Sequence, residues 1–165
     1  MRKDHPRRAA LLATLAALLA LGIAVASERL GGLVPCALCL LERWPYRLAI
    51  VFGLLALALP RGLARLLLAA LALTAFADAA IAIVHVGVEW HFWPSPLPEC
   101  AAPHLSGSIA ERLAEMPLRP GKPCDEPTYL LPGVPLSMAA LNLLYALALG
   151  ASLIQYLNRT RHVRR

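Results

Sequence analysis

The sequence predicts an all-α membrane protein, a single membrane domain over residues 1–165 built as a four-helix transmembrane bundle with two outer loops. Three observations carry this prediction. Hydrophobic residues make up 59% of the chain and charged residues 16%, whereas soluble domains run at roughly a half and a quarter. The apolar excess is gathered into long Ala- and Leu-rich runs. The basic residues cluster beside those runs, chiefly at the termini. A disordered chain, a collagen-like fibre, a small disulfide-rich module and an ordinary soluble enzyme are excluded on these grounds. The net charge of +6 does not point to nucleic acid. No binding motif accompanies it, and its placement is a membrane-topology signal.

The first helix is expected over about residues 9–26, behind Arg2, Lys3, Arg7 and Arg8. A bilayer core asks for about 20 apolar residues per helix. A basic start and Ala24-Val25-Ala26 before Ser27 also fit a cleavable secretory signal. The run is long for a signal, so an uncleaved helix is the reading adopted. The second helix, about 40–59, is short in strictly apolar residues and borrows Leu38, Leu40 and Leu41 ahead of its apolar run. It closes at Pro60-Arg61-Gly62. The third and fourth helices are expected over about 63–84 and 136–157, the last followed by a basic tail.

The outer loops are expected over about 27–45 and 85–135. In the second, Ser108 and Glu111 fit a capping box. Ile109, Leu113 and Met116 then share one face of a short amphipathic helix, packed on its own loop or lying on the membrane surface. Trp90, Phe92 and Trp93 read as an interfacial anchor.

Placement of Lys and Arg orients such a bundle. With both termini inside, the cytoplasmic side holds Arg2, Lys3, Arg7, Arg8, Arg61, Arg65, Arg159, Arg161, Arg164 and Arg165. The outer side holds Arg29, Arg43, Arg47, Arg112, Arg119 and Lys122, outnumbered there by Asp and Glu. Both termini are therefore expected in the cytoplasm.

All four cysteines fall in the outer segments, where an even number of thiols is expected to be paired. Cys36 and Cys39 form a Cys-x-x-Cys, a ring whose closure gains little entropically, while a bond between Cys100 and Cys124 would gain more. The small ring suits redox chemistry. Cys39 is expected just before the second helix, where a helix N-terminus and nearby cations stabilise a thiolate. Arg43 falls on the same face if the helix has begun. Structural zinc would want two such pairs or equivalent ligands, and twenty-three residues separate Cys100 from Cys124, so no metal is expected. Two inert structural disulfides, in a membrane assembly protein without enzymatic activity, remain the alternative.

The segment Pro35-Cys36-Ala37-Leu38-Cys39-Leu40-Leu41-Glu42-Arg43-Trp44-Pro45-Tyr46 resembles the motif of the disulfide bond formation protein B (DsbB) family. So do His85-Val86-Gly87-Val88-Glu89-Trp90 with Trp93-Pro94-Ser95-Pro96 before Cys100, and Pro123-Cys124-Asp125-Glu126-Pro127. The resemblance covers nearly the whole chain. It implies a bacterial inner-membrane oxidase that re-oxidises a periplasmic DsbA-like thioredoxin-fold partner and reduces a membrane quinone, ubiquinone or menaquinone. A related oxidase with a dedicated substrate is the nearest variant. By position, Cys100 would receive the partner's thiolate and Cys124 would pass oxidation state to Cys36. Cys39 would face the quinone, with Arg43 beside it. Some members carry a histidine where this chain has Gly87; His85 and His91 flank that position without an assigned role.

Two polar residues fall inside apolar runs. Asp78, seven residues before His85 and on the same helical face, could serve a proton relay or a buried hydrogen bond; the second is preferred. Asn142 could approach a quinone or tie helices together, and the tie is preferred.

Overall fold

The computed structural model describes residues 5–100, 108, 122–130 and 133–162. The amphipathic loop helix expected after Ser108 lies outside the described residues. Among the described residues the chain forms four α-helices and no strand: α1 (His5–Arg29), α2 (Ala37–Ala58), α3 (Arg61–Glu89) and α4 (Met138–His162), with a one-turn 3₁₀ helix at Pro98–Cys100. Three spans, Pro6–Arg29, Arg61–Glu89 and Met138–Thr160, are long and apolar enough to cross a membrane. α2 has 22 residues but carries Glu42, Arg43 and Arg47 in its first half.

Every helix is longer than its apolar run or shifted from it, and two of the shifts change the site. α2 begins at Ala37 rather than near residue 40, because Cys36 caps it. The Cys36 backbone is extended (φ −80°, ψ 172°), and its Sγ accepts the Cys39 N–H at 3.2 Å. That satisfies one of the donors a helix start leaves free. Cys39, Glu42, Arg43 and Pro45 are thus helical, not part of a 27–45 loop. Pro45, read from sequence as the loop's end, is a buried interior residue of α2. Helices in apolar surroundings accommodate such a proline where neighbours re-satisfy the backbone.

α3 runs to Glu89 rather than stopping near residue 84, so His85 and Glu89 belong to the helix. It ends in a Schellman turn: His91 N–H donates to Val88 O at 3.0 Å and Phe92 N–H to Gly87 O at 2.9 Å. His91 takes the left-handed position with φ 59°. Trp93 folds back over α3 and donates its indole N–H to Val84 O at 3.0 Å. Gly87 permits this closure, since a Cβ there would stand 1.9 Å from the Trp93 ring.

The core is built from small residues. Ala10, Ala13 and Ala17 of α1 join Ala49 and Ala56 of α2, Ala64, Leu68, Leu71 and Ala72 of α3, and Leu153 of α4. Gly53 lets α2 approach Thr14 of α1. Close approach of this kind is how helices associate where burial from water supplies no drive. Large side chains such as Leu12, Leu66 and Leu73 point outward and are exposed, as a lipid-facing surface requires. At the basic end, Arg65 donates to Leu157 O and Thr160 O at 3.3 and 3.4 Å. A cation there meets the negative dipole end of α4. At the opposite, thiol end, Met138 N–H donates to Thr128 O at 2.7 Å and Tyr129 bridges Ser137, pinning the start of α4.

Candidate functional site

The cysteines converge at the thiol end. Cys100 and Cys124 form a disulfide. Cys36 and Cys39 are reduced, with sulfurs 2.7 Å apart. Cys36, Leu38, Val88, Cys100 and Cys124 make one buried cluster, with Ala37, Cys39 and Leu97 packed against it. The Cys36 thiol is held below its ordinary range by the hydrogen bond from the Cys39 thiol, against the opposing effect of burial. Its place at the helix N-cap acts in the same direction.

A polar chain runs inward from Cys36. His85 Nε2 lies 3.4 Å from Cys36 Sγ, and its Nδ1 lies 2.8 Å from Glu42 Oε1. Glu42 Oε2 accepts from Asn142 Nδ2 at 3.1 Å, which also donates to Asp78 Oδ2 at 3.0 Å. The Asn142 carbonyl accepts from the Tyr46 hydroxyl at 2.7 Å. Asn142 therefore ties α2, α3 and α4 together, as preferred from sequence. Asp78 and His85 share a face of α3, but Glu42 and Asn142 stand between them. Behind His85, Glu89 accepts a short hydrogen bond from the Ser137 hydroxyl. His91 lies apart, exposed, 3.8 Å from Asp125.

Cys39 opens onto a cavity of about 220 Å³ between α1, α2 and α4. Its walls are mostly apolar, including Ala20, Leu21, Ala24 and Leu141, and Glu42, Arg43, Tyr46, His85 and Asn142 supply the polar part. Cys36 is not among the lining residues. Arg43 pairs with Glu28 of α1 at 2.7 Å and donates to Ala24 O at 3.4 Å. Its Nε is buried with no partner. Arg47 is exposed and stacks over Trp44 at 4.8 Å, outside the site.

Cys36, Cys39 and His85 bring their ligand-type atoms within 4.8 Å of one another. Two thiolates on one tetrahedral zinc stand about 3.8 Å apart, from Zn–S bonds of about 2.3 Å. The 2.7 Å between these sulfurs is shorter than that spacing.

A helical bundle of membrane type, with a formed disulfide packed against a reduced Cys-x-x-Cys at a helix cap, defines a membrane thiol–disulfide protein. Residues 6–155 match the family model described as Disulfide bond formation protein DsbB, and the chain belongs to the DsbB family. Disulfide bond formation is thus the process it serves. No curated protein and no solved structure matched the chain.

Sequence reasoning missed Glu42, Glu89 and Ser137. Glu42 falls within the expected 27–45 loop, and its place three residues after Cys39 becomes a signal only with a helix that begins at Ala37. The pairing of Glu89 with Ser137 spans the long second loop, and no local pattern announces it.

Proposed function

We propose that this chain is a membrane thiol:quinone oxidoreductase of the bacterial inner membrane, with both termini cytoplasmic, that re-oxidises a periplasmic DsbA-like thioredoxin-fold protein. The observation that carries the reading is the position of the Cys36–Cys39 pair. Cys36 packs with the Cys100–Cys124 disulfide while Cys39 faces the cavity, so the pair bridges the two. An inert structural pair would have no need of a cavity on one side.

The residues fit a quinone. Apolar walls suit its ring and tail. The buried Arg43 Nε–H, unpartnered in the structure, is a donor whose burial costs about 1–3 kcal/mol unless an acceptor meets it. A carbonyl oxygen is such an acceptor. A bound quinone supplies a two-electron, two-proton acceptor. Cys100 receives the partner's thiolate, and the mixed disulfide resolves as the partner's second thiol attacks. The Cys100/Cys124 dithiol then exchanges with Cys36–Cys39, following relative reduction potential. Cys39 stands at the cavity as the last protein thiol, with Arg43 providing positive charge where oxygen becomes anionic.

The test is turnover of purified protein with a reduced DsbA-type partner and either ubiquinone or menaquinone, following quinone absorbance. Reduction that depends on both Cys39 and the partner is expected. Partner oxidation that proceeds at the same rate without any quinone would overturn the reading.

A further inference from the structure

We propose that His85, oriented by Glu42, is the catalytic acid–base residue for Cys36, carrying the proton that this thiol gains and loses in each exchange. The inference deepens the reading above and rests on it for the identity of the exchanging pairs.

Cys36 and His85 are each 3% exposed, so water does not serve the Cys36 sulfur freely. A buried thiol that must ionise and re-protonate needs a protein group in contact. His85 Nε2, at 3.4 Å, is a titratable group that makes this contact from another helix. Glu42 Oε1 at 2.8 Å from Nδ1 fixes the tautomer: Nδ1–H donates to the carboxylate and Nε2 faces sulfur. A carboxylate behind the imidazole also favours the imidazolium that forms on proton uptake. The groups facing His85 come from several elements. Cys36 precedes α2, and Cys39 and Glu42 lie on α2. Glu89 Oε1, on α3, stands 4.0 Å from Nε2 and is held by Ser137 from the start of α4. Lys122 in the second loop acts on Glu89. Asp78 and Asn142 reach His85 only through Glu42.

The step balances within the chain. The Cys124 thiolate attacks Cys36 Sγ of the oxidised pair. A Cys36–Cys124 bond forms, the Cys36–Cys39 bond breaks, and its electron pair leaves on Cys39. The Cys100 thiolate then attacks Cys124, forming Cys100–Cys124 and leaving an electron pair on Cys36, which takes the proton from His85 Nε2. Two electrons leave the loop dithiol and reduce the α2 pair; two protons leave the loop thiols and two are taken up at Cys36 and Cys39. The described arrangement, with Cys100–Cys124 formed and Cys36 and Cys39 reduced, is the product of this step. On re-oxidation of the α2 pair, His85 takes the proton back and frees the Cys36 thiolate.

The experiment titrates Cys36 in the full chain in detergent, with Cys100–Cys124 intact and no partner or quinone present. Cys39→Ser keeps a hydroxyl donor beside Cys36 and leaves Cys36 as the titrating thiol. Thiolate absorbance is read against pH. Adding His85→Gln is expected to move the midpoint upward by about one pH unit or more, roughly a tenfold loss of thiolate below it. Glu42→Gln, which leaves the imidazole in place, is expected to move it the same way by less. A His85→Gln curve that superimposes on the Cys39→Ser curve overturns the proposal. If His85→Gln does not fold by circular dichroism, a superimposable Glu42→Gln curve overturns it equally. Because no acceptor is present, this outcome is independent of whether quinone turnover is observed.

Discussion

At the scale of single residues, Arg43 has two separable duties. Its terminal nitrogens tie α2 to Glu28 and Ala24 of α1, and its Nε is buried without a partner. Arg43→Ala removes both; Arg43→Lys keeps a cation for Glu28 and loses the Nε donor. Loss of a charge-assisted hydrogen bond amounts to about 1.5–3 kcal/mol. Both variants should therefore raise the KM for quinone roughly tenfold or more while leaving the KM for the reduced partner near its normal value. A rise confined to the partner would remove Arg43 from the acceptor site. Asp78 is expected to behave differently. Its Oδ2 accepts from the Asn142 amide, which does not titrate and stands between Asp78 and Glu42. Asp78→Asn should give near-normal turnover from acid to neutral pH, measured by quinone absorbance. Slowed turnover with a displaced pH profile would restore the relay. Arg43 was legible in the sequence because it sits in a local motif. The partnership of His85 with Cys36 was not, because the two are brought together by packing across forty-nine positions.

At the scale of elements, the helices were legible as apolar runs, and their ends were not. Apolar periodicity says nothing about Cys36 as a cap, and the α3 terminus uses His91 in a conformation that normally signals itself through glycine. The nearby Gly87 serves a different need, the closure of Trp93 over the helix. The contact of α1 with α2 gives a sharper test. A Cβ at Gly53 would stand 2.0 Å from Thr14 Oγ1, and that hydroxyl is held by Ala10 O at 2.7 Å. Gly53→Ala should destabilise the bundle by about 1–3 kcal/mol through overpacking, read as a lowered melting temperature in detergent. Thr14→Ala removes the clashing oxygen, so the double variant should recover most of the loss. Equal melting of the single and double variants would show that α1 and α2 are not in this register.

At the scale of the whole molecule, the question is whether α2 can cross a membrane with three charged residues in its first half. The structure places each of them where its charge is met. Glu42 lies between His85 and Asn142, and Arg43 is paired with Glu28. Arg47 is exposed near the thiol end, stacked on Trp44, where a long cation can reach the interface. From Leu48 onward α2 carries no charge to its end at Ala58. Glu42 and Arg43 are thus paired inside the bundle, and only Arg47 of the three is left exposed. We propose on this ground that α2 is a fourth crossing, which would put the α2–α3 connection on the side opposite the thiols. The prediction is an asymmetry in labelling. In a background with all four native cysteines replaced by Ser, Leu30→Cys lies at a residue 88% exposed beyond α1. Gly62→Cys lies in the first turn of α3, next to the α2–α3 connection, where an added Cβ meets nothing within 4 Å. A membrane-impermeant maleimide should label Leu30→Cys in cells whose outer membrane alone is permeabilised. It should label Gly62→Cys only after the inner membrane is opened. Equal labelling of both sites before that opening would mean that α2 does not cross, and the cavity lined by Cys39 would then need a different solvent from the bilayer.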